Sequence, residues 1–456
     1  MRQERPMDYS DYGFQPFFID LSPYPETEDE DPLAIISLPY SRPNRNLELI
    51  SEGTVYHDVA KNSTFYRLSG IRALSFLSLV GPAPDVQHYQ EFAHGREDHS
   101  YVVAKLGELI LRHNGYSEEE INKAVIAFLM HDIATPALGD ATMKLDPANL
   151  SEEENFRAIV SDKEKALFAK YGTNVDEVEA IIKNEGVLGQ VLDIADRITY
   201  TAKDLDALIG ADRYLKPADP SLHEENARYL QDFVDIVNKN PKFGELYKTI
   251  GIDRKRGQVF SSEPEMFATF LHVRALLHER LYLHPSSQGR DLFVARLIEP
   301  FYSTNEDDEN SITPAKLREM VDYDLMNELE RRYSQYLDIL PQRLFGEIVN
   351  WYPQYARFDT DEEAEKFAFK LSKNPNTAIL GVRKRRGFNP GTNYNVIHPI
   401  TRKVLPLREY DPTLVVEPER IAESLPAVYV YYKELDGDDG SVITQLLRNA
   451  PQFKTV

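Results

Sequence analysis

The 456-residue sequence contains no cysteine, and this absence removes several kinds of site at once. A chain without thiols cannot form disulfides, bind zinc through thiolates or use a cysteine nucleophile. Any metal ion must therefore be held by histidine and carboxylate side chains. The lack of cysteine also fits a reducing compartment such as the cytoplasm.

Long apolar runs are absent as well, the longest being Leu74–Val80 and Ala124–Met130. Since a membrane helix needs about 20 apolar residues, we expect no membrane span. The first residues include Arg2 and Glu4, where a secretory signal would be apolar. The sequence therefore predicts a cytoplasmic protein that does not act at a membrane.

Basic residues are scarce, because 52 Lys+Arg face 74 Asp+Glu and leave a net charge of −22. Nucleic acids and anionic membranes attract proteins through a dense positive field. This composition argues against nucleic acid as the main partner. It remains compatible with a small anionic substrate held in a locally basic pocket.

Three regions of different composition follow one another along the chain. Residues 1–48 are acidic and proline-rich, which is typical of a peripheral arm that buries little surface. Residues 49–302 have helical periodicity, as in Glu118–Met130, where Ser117 is the expected N-cap. Residues 303–456 begin with a polar linker and helices and end in short strands, so we expect a mainly α fold with a smaller C-terminal α/β region. The predicted strands are Thr377–Val382, Asn395–Ile397 and Val428–Lys433.

Histidine and aspartate recur in an order that could build a metal site. His99 comes first, the pair His131-Asp132 ends an apolar helix, and Asp196 lies in a later helix. Each of these segments alone is more typical of surface charge or helix capping. Together they supply two imidazoles and two carboxylates, which suit Mn, Mg, Fe or Zn and leave positions open for water and substrate.

This order of residues resembles that of the HD-domain phosphohydrolases, most closely the deoxynucleoside triphosphate triphosphohydrolases. The resemblance covers about residues 52–290 and implies an HD-domain helical core over residues 49–302. The segments that carry it are Arg67-Leu68-x-x-Ile71, His94-x-Arg96-x-x-His99-Ser100, His131-Asp132, Asp196-Arg197-x-x-Tyr200-x-x-x-Asp204, and Arg274 followed by Tyr282-Leu283-His284.

The resemblance implies a role for each residue that matches these motifs. The implied ligands of a divalent metal ion are His99, His131, Asp132 and Asp196. The implied substrate contacts are Arg96, Arg197 and Arg274 to a triphosphate, Tyr200 and Asp204 to sugar and phosphate, and Tyr282 to sugar or base. Forked guanidinium donors suit phosphate oxygens, and a bound metal would activate water. The resemblance also implies a nucleotide substrate and a homo-oligomer.

The sequence departs from the family pattern at positions that matter for proton transfer. Thr135 and Asp140 stand where the family has histidines, and residues 151–155 are acidic where it has a catalytic histidine. We therefore expect Asp140 or Glu153 to transfer the proton, provided that burial or neighbouring acids raise its pKa. Ala73 replaces the glutamine that reads the sugar, which weakens the expectation of 2′-deoxy selection.

The main functional hypothesis is metal-dependent hydrolysis of a (deoxy)nucleoside triphosphate to nucleoside and triphosphate. One alternative is hydrolysis of another phosphoester, such as a nucleoside monophosphate or a cyclic nucleotide. Another is a catalytically silent, nucleotide-binding regulator, which the missing histidines favour and the complete ligand set opposes. A helical interaction scaffold would explain none of the motif order.

Overall fold

A computed structural model of the chain describes residues 53–72, 95–214, 232–233, 236, 243–334, 344, 347–348, 351, 353–385, 387–435 and 441–449. The predicted arm at residues 1–48, Ala73 and His94 lie outside the described residues. Among the helices that are described, none combines the length and apolar character required to cross a membrane.

Helices dominate the described structure, as the sequence predicts. The helices are α1 Val55–Ala60, α2 Ser63–Tyr66, α3 Arg96–His113, α4 Glu118–Met130, α5 Gly139–Met143, α6 Pro147–Leu150, α7 Phe156–Ile159, α8 Asp162–Lys170, α9 Val175–Ile182, α10 Gly186–Tyr214, α11 Pro264–Leu277, α12 Pro285–Ile298, α13 Pro314–Glu319, α14 Asp322–Tyr333, α15 Asp361–Ser372, α16 Leu407–Tyr410, α17 Val416–Ser424 and α18 Val442–Asn449. A π-helical turn, His278–Tyr282, separates α11 from α12.

Two small sheets accompany the helices. The strands are β1 Ile250–Asp253, β2 Gln258–Ser261, β3 Gln354–Phe358, β4 Thr377–Arg385, β5 Asn395–Ile397, β6 Val404–Pro406 and β7 Ala427–Glu434. One sheet has the order β1-β2-β5-β6 with only the β2–β5 pair parallel, and the other has the antiparallel order β3-β7-β4. The mainly α fold with a smaller strand-containing C-terminal region is therefore confirmed.

The β1–β2 hairpin is a correction to the helical prediction for residues 49–302. Its strands contain four residues each, too few for an alternating pattern to stand out in the sequence. A turn joins them, in which the Gly257 N–H donates to the Asp253 carbonyl at 2.8 Å. Gly257 has φ +66°, a left-handed conformation that glycine adopts without strain.

Helix α4 forms where the sequence places it. Ser117 and Glu120 build a capping box that satisfies the first backbone N–H groups, which confirms the predicted N-cap. Ile121 and Phe128 lie on its buried face and pack against α3. The two helices approach closely at Gly107, where an added Cβ would lie 2.4 Å from the Phe128 ring. This close packing fixes the end of α4 relative to α3.

The apolar interior consists mainly of two buried clusters. The first joins α1, α3, α4 and the helices from α8 to α11. The second joins α5, α12 and α14 to the inner face of the β3-β7-β4 sheet, and it includes Leu150, Phe293 and Tyr431. Since this second cluster contains residues from both sides of position 302, the C-terminal region packs directly on the helical core. The proposed boundary at residues 302–303 stays a prediction.

Candidate metal centre and substrate site

Three helices of the first cluster carry the histidines and aspartates of the predicted metal site. His99 lies in the first turn of α3, His131 and Asp132 follow the last residue of α4, and Asp196 lies within α10. Helix α3 packs against both α4 and α10. The ends of α3 and α4 therefore meet the middle of α10, which brings residues distant in sequence to one place.

The polar atoms of these four side chains converge. His99 Nε2 is 2.8 Å from Asp196 Oδ1 and 4.0 Å from Asp132 Oδ2, while His131 Nε2 is 3.5 Å from Asp132 Oδ1 and 3.9 Å from Asp196 Oδ1. Atoms that bind one ion at about 2.1 Å lie roughly 3.0–3.4 Å apart. The observed separations need only small adjustments to enclose an ion.

The hydrogen bonds of the site also fit a metal ion. His131 Nδ1 is 2.7 Å from the Phe128 carbonyl, so it carries a proton, and its Nε2 faces the carboxylates of Asp132 and Asp196. Burial lowers the pKa of His131, but the charges of these two carboxylates outweigh burial and raise it, so the site favours a positive charge at Nε2. Asp132 is only 2% exposed, and its Oδ2 has no hydrogen-bond partner among the described residues. A buried carboxylate oxygen without a donor is costly, and a bound cation would satisfy it.

Both carboxylates are held in the ionised form that a metal ligand requires. Burial opposes ionisation of Asp132, but the Arg96 guanidinium and the two histidines keep the pKa of its carboxyl well below the usual range. For Asp196, burial is likewise outweighed by a hydrogen bond from His99, which lowers its pKa. His99, His131 and Asp132 form a group that could hold a metal ion. With Asp196 beside it, the candidate donors are two imidazoles and two carboxylates, which suit a divalent cation.

Arg96 connects the metal site to an acid that the sequence analysis did not select. Its Nη1 donates to Asp132 Oδ1 at 2.9 Å and lies 3.5 Å from Glu152 Oε2. Thr135 donates a hydrogen bond to the same Glu152 oxygen. Burial raises the pKa of Glu152 to about 7, with Asp132 adding to the shift and Arg96 opposing it. Glu152 can therefore hold or release a proton near neutral pH.

Glu152 was within reach of sequence reasoning, since it belongs to the acidic run noted at residues 151–155. Glu153, the residue predicted from that run, is mainly exposed. The part of its side chain that is buried, together with the charges of Glu154 and Asp193, raises its pKa. Asp140 is exposed on α5, and its negative charge contributes to raising the pKa of both Arg96 and Glu152. Proton transfer by Asp140 or Glu153 stays a prediction.

Four of the six predicted substrate residues form one network beside the candidate metal site. Arg274 on α11 donates to the Tyr200 hydroxyl and to the Asn389 carbonyl, the latter at 2.8 Å. Tyr282, in the π-helical turn, donates to Asp204, and its ring meets that of Tyr200 edge to face at 5.8 Å. Since Tyr200 is one helical turn from Asp196 on α10, this network adjoins the ligand cluster.

Two further aromatic groups belong to this network. The His278 ring stacks on Phe388 with centroids 4.3 Å apart and also meets Tyr282 at 5.0 Å. Burial and the Arg274 charge lower the pKa of His278 to about 3, so this imidazole is neutral. The spacing of Arg274, His278 and Tyr282 on successive helical turns could have indicated His278. Nothing in the sequence links it to Phe388, more than 100 residues away.

Arg197 is paired with a carboxylate. Its Nε and Nη2 both donate to Asp193 Oδ1 at 2.8 Å, one turn back on α10. Tyr394 donates its hydroxyl to the other Asp193 oxygen, and the Arg197 guanidinium lies 5.7 Å from the centre of the Tyr394 ring. Sequence reasoning missed both partners, although the Asp193–Arg197 spacing is typical of a helical ion pair.

Comparisons with known proteins agree with this architecture. Residues 96–208, which contain all four candidate ligands, match the model of the HD domain family. A phosphohydrolase from Bacteroides thetaiotaomicron has a similar structure, with a TM-score of 0.58 and 14% identity over 84% of this chain and 96% of the other. A hypothetical protein from Aquifex aeolicus gives a TM-score of 0.52 and 16% identity over 84% and 93% of the two chains. No curated protein sequence matches the chain.

These findings show that residues 96–208, about a quarter of the chain, are similar to the HD domain. The matched region begins at Arg96 and ends beyond Asp204, so it spans α3, α4 and most of α10. At identities this low, the two solved structures indicate a shared fold and nothing more about chemistry. What the site does must be argued from its own side chains.

Proposed function

We propose that this chain is a metal-dependent phosphohydrolase that acts on nucleotides. The observation that carries the proposal is the convergence of His99, His131 and Asp132, with Asp196 beside the two histidines, in the region that matches the HD domain. A divalent ion bound there, such as Mn, Mg, Fe or Zn, would supply an activated water and neutralise phosphate charge. A phosphohydrolase from Bacteroides thetaiotaomicron has a similar fold, which is compatible with this class of reaction but does not carry the proposal.

The chain's own residues take distinct parts in this proposal. Arg96 fixes the orientation of Asp132 through their hydrogen bond, which keeps one ligand oxygen directed at the ion. Glu152, with a pKa of about 7, donates a proton to the leaving oxygen. Arg274 binds a phosphate oxygen, since its present partners are a hydroxyl and a carbonyl that carry no charge.

Two kinds of nucleotide are candidates. The motifs resemble those of enzymes that split a (deoxy)nucleoside triphosphate into nucleoside and triphosphate, and the rings of Tyr200, Tyr282 and His278 offer a surface for a sugar or base. A nucleoside monophosphate is the second candidate. It is favoured by the pairing of Arg96 and Arg197 with carboxylates, which leaves little positive charge for a triphosphate.

The test is turnover of nucleoside mono-, di- and triphosphates with Mn, Mg, Fe, Co or Zn, followed by chromatography that resolves phosphate from tripolyphosphate. We expect a metal-dependent product from at least one nucleotide. Tight nucleotide binding without any product would instead support the regulator. The assembly is proposed to be a homo-oligomer, which sedimentation of the full chain measures.

A further inference from the structure

The three arginines predicted to contact phosphates differ in the charge of their partners. Arg96 pairs with Asp132, and Arg197 pairs with Asp193. In the part of the chain that the structure describes, Arg274 alone of the three has uncharged partners, Tyr200 and the Asn389 carbonyl. The site therefore offers one arginine whose charge is not already balanced by a carboxylate.

The Asp193–Arg197 pair is held in place by a residue of the C-terminal region, Tyr394. Tyr394 bonds the second oxygen of Asp193, and burial and the Asp193 charge raise the pKa of Tyr394, so its hydroxyl stays protonated and donates. The Tyr394 carbonyl accepts from the Leu407 N–H at 2.8 Å, and its ring meets Phe267 edge to face at 5.6 Å. The C-terminal region thus holds Tyr394 against α10.

We propose that Asp193 and Tyr394 form a clamp on Arg197 that limits the site to substrates with a short phosphate chain, in the first place phosphate monoesters. The proposal rests on the proposed function, that this site binds phosphate esters, and it decides between the two candidate substrates. A monoester dianion can be balanced by the metal ion and Arg274. A triphosphate carries about four negative charges, and its distal phosphates would meet the Asp193 carboxylate beside Arg197.

The experiment measures anion binding to the full chain by titration calorimetry, with inorganic phosphate and tripolyphosphate as probes and a fixed excess of magnesium. For the native protein we expect tripolyphosphate to bind no more than about threefold more tightly than phosphate. Arginine charges that are already paired with carboxylates add little to the affinity for further phosphate groups. Asp193→Asn frees the Arg197 charge, and it should tighten tripolyphosphate binding about tenfold while changing phosphate binding less. Tyr394→Phe, which keeps the ring, should change binding in the same direction by a smaller factor.

Two controls separate this effect from a general change in charge. Asp176→Asn removes the same charge from an exposed pair with Arg157 and should leave both affinities unchanged. Adding Arg197→Gln to Asp193→Asn should abolish the gain. Strong tripolyphosphate binding by the native protein, no gain in Asp193→Asn, or no binding of either anion would each overturn the clamp. Absence of any hydrolysis would refute the proposed function instead, and the binding comparison would still stand.

Discussion

Removing the Arg96 guanidinium is the sharpest test of how the metal site is held together. Arg96 and Asp132 are 11% and 3% exposed, and they are joined at 2.9 Å. Breaking such a buried pair from one side costs about 3–5 kcal/mol, because the remaining charge stays buried without a partner. The side chain of Glu152 is 23% exposed, so solvent weakens its contact with Arg96, and this contact adds little to the free energy lost.

Arg96→Gln should therefore lower the melting temperature of the metal-free protein clearly. For a folding unit of about 150–250 residues, 1 kcal/mol corresponds to roughly 2–4 °C, which predicts a fall of about 6–20 °C at pH 7. Arg157→Gln is the matched control, since Arg157 also pairs with two carboxylates, Asp176 and Glu179, but is 56% exposed. The control should melt close to the native temperature.

The pH dependence gives a second check on the same variant. The pKa of Asp132 is lower in the folded protein than in the unfolded chain, where it is about 3.9. The Arg96–Asp132 pair therefore stabilises the folded protein fully above about pH 3.9, and this stabilisation is lost as the pH falls through the pKa of the folded state. The difference in stability between the native protein and Arg96→Gln should shrink below about pH 4. It should grow above about pH 7, because Arg96 favours the ionised form of Glu152 in the native protein only. Equal melting of the Arg96 and Arg157 variants at pH 7 would refute the reasoning.

Three further changes test individual roles. His131→Ala should abolish both bound metal, measured by elemental analysis, and turnover, whereas His113→Ala at the exposed end of α3 should change neither. In the native protein, the rate of hydrolysis should decline above about pH 7, because the Glu152 carboxyl must be protonated to donate a proton. Glu152→Gln should remove this decline, and a pH profile identical to the native one would rule out this role. Arg67→Met should weaken metal binding about tenfold, since Arg67 donates to the Ile133 and Thr135 carbonyls at 2.8 Å and fixes the loop after Asp132; unchanged affinity in a metal titration would contradict this.

Local signals in the sequence predict much of this fold. The N-cap at Ser117 and the apolar stripe of α4 follow from interactions within one helical turn, and the structure contains them. Strands β4, β5 and β7 were also visible, because alternating or β-branched residues run between turn-forming residues. The β1–β2 hairpin was not, since its strands of four residues each are too short for an alternating pattern to stand out.

For the candidate site, too, some features could be predicted from the sequence and others could not. Histidine and aspartate at helix ends could be read as ligands from their order, because the chemistry of metal binding restricts the residue types. The pairing of charges across the fold could not be predicted, even though Glu152 itself lies in an acidic run noted in the sequence. Glu152 reaches Arg96 from a distant loop, and Tyr394 reaches Asp193 from 201 residues away. Such contacts depend on tertiary packing, which leaves no periodic pattern in the sequence.

The net charge of −22 takes on a more specific meaning in light of these partners. At physiological salt, charges beyond about 8 Å are largely screened, so an anionic substrate responds to the groups that line the site. There, Arg96 and Arg197 are already balanced by Asp132 and Asp193. In the proposed function, attraction of a phosphate would then come from a bound metal ion and from Arg274. Because a divalent ion is the larger of these two charges, the proposal predicts that substrate affinity falls when the metal is removed.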